Sequence, residues 1–136
     1  MKKPMPVTIS SLGDVVLELN ADALQAEDAS GRFGILPGHA DFLTMLTIGV
    51  VSVRSGAREH HCAVRGGVLS VCDGAVAIAT REAIVDDDLD HLEHTVLREL
   101  RRRDDTERHA RTESTRVELR AMRQLLRALA PGGPTP

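Results

Sequence analysis

The sequence predicts a mainly β fold with an α appendage, an N-terminal β-sandwich followed by a C-terminal two-helix hairpin. Three observations predict it. Up to residue 81 the chain is a succession of short runs rich in β-branched and aliphatic residues, separated by Gly, Asp and Ser, which is the pattern of many short strands. Past Glu82 the apolar period lengthens to three and four residues, the period of an amphipathic helix. With 136 residues, 42% of them hydrophobic, the chain builds one ordinary core plus a small attachment rather than two large domains. The expected division is a sandwich over 1–85 and helices over 86–136, with a disordered Pro/Gly tail from 131.

The expected strands are 7–11, 15–20, 23–27, 32–35, 50–54, 59–65, 68–72 and 75–80. Turns are expected at Gly13-Asp14, Ser30-Gly31, Ser55-Gly56, Gly66-Gly67 and Asp73-Gly74, where glycine supplies the positive φ that tight hairpins need. Alternation places Val68, Ser70 and Cys72 on one side of their strand and Leu69 and Val71 on the other. Val76 and Ile78 alternate in the same way with Ala75, Ala77 and Ala79. Neither side carries charge, which suits a sandwich whose outer surface is itself partly covered, for instance by a partner protein.

In the helical part Leu89, Leu92, Val96, Leu97 and Leu100 make one apolar stripe, and Met122, Leu125, Leu126 and Leu129 make a second. Asp86, Asp87 and Asp88 precede the first, where negative charge favours a helix N-terminus. Residues 103–115 between the stripes have no apolar ridge, and no Gly or Pro to force a turn. A hairpin is favoured because each stripe is too thin to be buried alone and folding back lets the two cover each other. From Arg98 to Arg127 there are ten Arg against six acidic residues, read either as a solvated helix face or as a docking surface.

Composition excludes several function classes. With two Phe and no Trp or Tyr, stacking on single-stranded nucleic acid or sugars is disfavoured. A net charge of -3 argues neither for nucleic acid nor for an anionic membrane. The opening MKKPMPVTIS has no apolar leader, and no run of about 18 apolar residues occurs, so no membrane span is expected. Cys62 and Cys72 sit in apolar stretches and are expected as reduced, buried thiols.

No catalytic residue is assigned. His39 with Asp41 lacks a nucleophile placed by any motif. His60 and His61 are strand neighbours that point to opposite faces, and His60 with Cys62 supplies too few ligands for zinc. Gly31, Gly34 and Gly38 are not followed by Gly-Lys-Ser/Thr or by a helix N-terminus, so they do not make a phosphate cradle. No metal and no cofactor is expected.

Residues 31–43 read GRFGILPGHADFL. This segment resembles the hallmark loop of the epsilon subunits of bacterial F-type ATP synthases, commonly G-x-x-G-I-L-P-G-H-A-P-L-L. Residues 48–54, IGVVSVR, resemble that family's P-G-x-L-x-V-x, and residues 63–71, AVRGGVLSV, resemble its A-V-S-G-G-F-L-E-V. Within the loop Pro37 fixes φ and Gly38 permits a tight turn, which holds His39 at a defined place.

The resemblance implies a sandwich of about ten strands that binds the gamma subunit and sits on the c-ring as part of the rotor. It also implies C-terminal helices able to reach the alpha and beta subunits and inhibit ATP hydrolysis. On this reading the protein is a non-catalytic central-stalk subunit at the cytoplasmic face of the bacterial inner membrane, docked through Arg32, Phe33, Gly34, Ile35, Leu36, Pro37, Gly38 and His39.

Leu89 and Asp90 match the start of the family's nucleotide-binding I/L-D-x-x-R-A, where Glu93 and His94 replace Arg and Ala; an acidic residue near phosphates is repulsive. Arg32 stands where the family usually has an acidic residue, and Asp41 where it has Pro. The coupling ion, proton or sodium, is selected elsewhere in the complex. The rival reading is a free-standing regulatory or nucleic-acid adaptor with an Arg-rich helical tail.

Overall fold

The computed structural model describes residues 3–129; the tail expected from 131 lies outside them. Among the described residues there are eight strands: β1 (Met5–Ser11), β2 (Asp14–Ala21), β3 (Ala23–Asp28), β4 (Gly31–Ile35), β5 (Phe42–Ser55), β6 (Arg58–Cys72), β7 (Ala75–Thr80) and β8 (Ala83–Asp86). They are followed by a helical turn α1 (Leu89–His91), a π turn (Leu92–Val96) and a long helix α2 (Leu97–Leu129). The mainly β fold with an α appendage is therefore observed, with eight strands where about ten were implied. By backbone contacts the chain divides into the units Met1–Arg101 and Arg102–Pro136.

The strands form one hydrogen-bonded path, β2-β1-β7-β6-β5-β3-β4, with β8 added beside β6. All pairings are antiparallel except β1 with β7, which is parallel. Two differences from the expected strands make this path into a sandwich. Residues 42–49 are strand, and the expected turn at Gly66-Gly67 is a point inside the single strand β6. The β5–β6 pairing runs in unbroken register from Phe42 opposite Val71 to Ser55 opposite Arg58.

The inward face of this ribbon nevertheless changes along it. Leu69 and Val71 enter the core, and so do Cys62 and Val64, a switch from odd to even positions that plain alternation cannot give. Gly66 at φ 70° and Gly67 at φ 119° lie at the switch, a left-handed geometry that residues with a Cβ rarely adopt. A Cβ on Gly67 would also overlap the Ala79 carbonyl. The ribbon thus passes from one layer of the sandwich to the other, as strands do at the corners of such folds.

The core between the layers is aliphatic, built on Val7, Ile9, Leu24, Ile35, Val51, Val53, Val64, Leu69, Val76 and Ile78. Type I′ hairpin turns close β1–β2 at Leu12-Gly13 and β6–β7 at Asp73-Gly74, with both residues of each at positive φ, the twist that matches right-handed strands. Cys62 is wholly buried in this core, and desolvation pushes its thiol up to about 11. Cys72, expected to be buried, is exposed at the end of β6.

A second cluster lies on the outer face of one layer. Leu92, Val96, Leu97 and Leu100 pack over Val50 and Ala63, joined at the margin by Ile48, Ile84 and Leu89. The first helical stripe is thus buried against the sheet rather than against a second helix. Asp88 caps the turn, its carboxylate accepting from the His91 amide at 3.2 Å. Asp86 secures it, accepting from the Asp88 amide at 2.9 Å and from His91 Nδ1 at 2.7 Å.

The hairpin expected over 86–136 is replaced by continuous helix to Leu129. With no Gly or Pro between 103 and 115 the backbone has no reason to turn, and local bonds keep it helical. Arg108 pairs with Asp104 at 3.1 Å, Arg116 with Glu113 at 3.4 Å, and Thr106, Thr112 and Thr115 bond the carbonyl four residues back. In the second unit Val117, Leu119, Met122, Leu125, Leu126 and Leu129 are 47–71% exposed. Among the described residues no helix is long and apolar enough to cross a membrane.

Candidate docking surface

The loop singled out from the sequence begins on the edge strand β4. Ile35 is fully buried and anchors it to the core, while Leu36 beside it is 60% exposed. Gly38 sits at φ 86°, and the His39 amide donates to the Leu36 carbonyl at 3.1 Å to close the turn. His39 Nδ1 donates to the Ala40 carbonyl at 2.7 Å. The His39 ring meets Phe42 edge-on at 5.7 Å, and Phe42 meets Phe33 likewise at 5.9 Å. Both aromatic residues of the chain are therefore spent on stiffening this loop.

Arg32 is exposed on β4, its guanidinium reaching Gln25 at 3.4 Å. At the end of β3 Asp28 accepts from the amide and hydroxyl of Ser30 and from Thr44 Oγ1. These bonds, that from the Ser30 side chain first, lower its carboxyl below the usual 3.8. Leu89 is half-buried under the helical turns, whereas Asp90 is exposed. The structure therefore brings 32–39 together as one unit and leaves Leu89 and Asp90 apart from it in sequence and on a different element.

A neighbouring surface was only partly read from the sequence. On the outer side of β5, β6 and β7, Leu43 lies opposite Ser70, Met45 opposite Val68, Val68 opposite Ala79, and Ser70 opposite Ala77. Leu43 is 70% exposed and Met45 75% exposed; Ala75, Ala77 and Ala79 are exposed too. Thr8 and Ser10 continue the row across the parallel pairing with β7. No charged side chain stands in these positions, although they face water. The uncharged alternation of 68–72 and 75–79 signalled this face; Leu43 and Met45 were missed because 42–49 were not expected to be strand.

The histidines weighed earlier have structural settings. His61 is buried and its Nδ1 meets Ser52 Oγ at 2.9 Å across the β5–β6 pairing. That contact satisfies two polar groups inside a sheet, and no third group aligns them for nucleophilic chemistry in the contacts the structure gives.

Residues 4–86 match the family described as ATP synthase, Delta/Epsilon chain, beta-sandwich domain. The chain belongs to this family. The ATP synthase epsilon chain 2 of Paraburkholderia xenovorans (strain LB400) is 46% identical over 134 residues, covering 96% of each chain. The ATP synthase epsilon chain 2 of Cereibacter sphaeroides is 43% identical over 125 residues, covering 89% of this chain and 86% of that one. Among solved structures, a chain of the Euglena gracilis mitochondrial ATP synthase, an OSCP/F1/c-ring assembly, aligns with a TM-score of 0.59 at 26% identity. That alignment covers 66% of this chain and 58% of the other. The relatives are similar through the helical part as well as the sandwich, since the first alignment spans nearly the whole of both chains.

Proposed function

We propose that this epsilon-family chain is a non-catalytic central-stalk subunit of the rotor of a bacterial ATP synthase. In that role it binds gamma and rests on the membrane c-ring at the cytoplasmic face of the inner membrane. The observation that carries the reading is the uncharged outer face of β5, β6 and β7, exposed beside a rigid loop. Exposed apolar side chains in a contiguous row favour a protein partner, and the opposite layer already has its own helical cover, Leu92 to Leu100.

The reading assigns gamma to the Leu43, Met45, Val68 and Ala77 face, and the c-ring to the adjoining residues Arg32, Phe33, Gly34, Ile35, Leu36, Pro37, Gly38 and His39. Ile35 is the buried anchor of that loop and Leu36 its exposed tip. Arg32 then requires an acidic or carbonyl-rich partner on the ring. The Arg-rich helix of the second unit, with its exposed Leu and Met stripe, suits a regulatory contact with the alpha and beta subunits. Ion translocation couples to ATP synthesis or hydrolysis through the rotor as a whole, and this chain transmits torque without performing chemistry.

The test is reconstitution with the cognate gamma subunit. The expected result is a stable complex that Ala77→Arg weakens at least roughly 10-fold, because one buried, unpaired charge costs several kcal/mol at an interface. A wild-type chain that stays monomeric beside gamma, or an Ala77→Arg chain that binds as well as wild type, would sink the assignment.

A further inference from the structure

The first helical turn is tied to the strand before it by one side chain on each side of a short linker. Asp86 ends β8, His91 ends α1, and His91 Nδ1 donates to the Asp86 carboxylate at 2.7 Å. The same carboxylate accepts the Asp88 amide at 2.9 Å, and Asp88 in turn accepts the His91 amide at 3.2 Å. We propose that the Asp86–His91 pair is a proton-sensitive latch, which grips the helical turns over 89–100 against the sheet when the imidazole is charged and slackens when it is neutral.

Position decides what the latch holds. The π turn begins at the residue after His91, with the Leu97 amide bonded to the Leu92 carbonyl, a wide geometry that occurs mostly as single turns and often at functional sites. Through it Leu92, Val96 and Leu97 are all buried in the cluster over Val50 and Ala63. Only Asp87 and Asp88 connect β8 to the helical turns, so the pair fixes where the turns start.

Charge decides how it responds. An imidazole changes charge between roughly pH 5 and 8, and its charged form bonds a carboxylate about twice as strongly as a neutral donor does. The His91 side chain is half-exposed, which lets protons exchange without unfolding. Its surroundings are acidic on every side: Asp86 on β8, Asp87 and Asp88 in the linker, and Asp90 and Glu93 on the helical side, with no Lys or Arg within 83–97. Such neighbours favour the charged imidazole.

The other titratable groups nearby are otherwise placed. His61 lies opposite Asp86 across the β6–β8 pairing, but its Nδ1 meets Ser52 Oγ at 2.9 Å. Arg65 pairs with Glu82 at 3.7 Å at the far end of β8, and His94 stands three residues beyond His91 in the π turn. The Asp86 carboxyl is lowered, by the Asp88 amide first and by His91 next, so it stays ionised across the range in which the imidazole titrates. The hold is therefore complete at low pH and fades as His91 gives up its proton on the way to high pH.

The experiment is hydrogen exchange of the full chain at about pH 5.5 and about pH 8, expressed as protection relative to an unstructured chain at the same pH. Protection of the 92–100 amides is expected to fall about 2- to 5-fold between them, the scale of a solvent-screened ion pair. The fall should vanish in His91→Gln, which keeps a side-chain donor but takes no charge, and in Asp86→Asn. The core amides of Val51 and Val53 report global stability and verify that the variants keep their fold, which the half-exposed position of His91 favours. Equal protection at both pH values in the wild type would overturn the proposal, and so would a fall that persists in His91→Gln, which would move the response to His61 or His94. No partner subunit enters this readout, so its outcome is independent of the rotor assignment.

Discussion

Gly67 shows how much one position carries. Its φ of 119° and the Ala79 carbonyl against the place of a Cβ combine backbone strain with a steric clash. Gly67→Ala is expected to destabilise the sandwich by about 2–4 kcal/mol, read as a lower midpoint in urea unfolding; an unchanged midpoint would show that the bend tolerates a side chain. Asp28 gives a pH-dependent counterpart. Its carboxyl is lowered in the folded chain by the Ser30 and Thr44 bonds, so its contribution is complete above the ordinary value of 3.8. It is lost as the pH falls through the lower folded value. Asp28→Asn should therefore lower thermal stability at pH 7 and lose that deficit as the pH falls through the lowered folded value; a deficit that persisted in acid would point to packing rather than charge.

Among the elements, the helical turns over 89–101 and the rest of α2 differ in kind. Leu92 and Leu100 are fully buried on Val50 and Ala63, whereas the apolar residues of 117–129 face solvent. Leu100→Ala should cost about 2–5 kcal/mol, the range for emptying a buried leucine site. Truncation after Arg101 should leave the melting temperature of the sandwich nearly unchanged, while truncation after Asp88 should lower it by uncovering Val50 and Ala63. Equal melting temperatures for the two truncations would mean that the helical turns contribute nothing to the fold. The expectation of a hairpin failed here for a physical reason. The first stripe had a better partner in the sheet than in the second stripe, and 103–115 held no residue that ends a helix.

At the scale of the whole molecule, the two layers of the sandwich have unequal outer faces, one covered by the chain's own helix and one left open, without a charged side chain across the outer row of β5, β6 and β7. Such a face associates with whatever apolar surface is offered. The isolated chain is expected to self-associate reversibly as concentration rises, seen by analytical ultracentrifugation, and Val68→Lys should suppress this. Persistence of self-association in that variant would move the sticky surface to the exposed stripe of α2.

The sequence by itself determined the change from β to helical structure near residue 82, most of the turns, and the loop 31–43 that marks the family. Those features are local: a period, a glycine with positive φ, or a contiguous motif. It also showed the absence of charge along 68–72 and 75–79, which became the open face. Only the tertiary structure decided that β5 and β6 run through Gly66-Gly67 and exchange layers, that Ala83–Asp86 adds to β6, and that Leu92 to Leu100 lie on Val50 and Ala63. Only it joined Asp86 to His91 beneath the first helical turn. These depend on which residues face each other across strands distant in sequence. Periodicity tells which residues share a face, and the long-range pairing tells what that face meets.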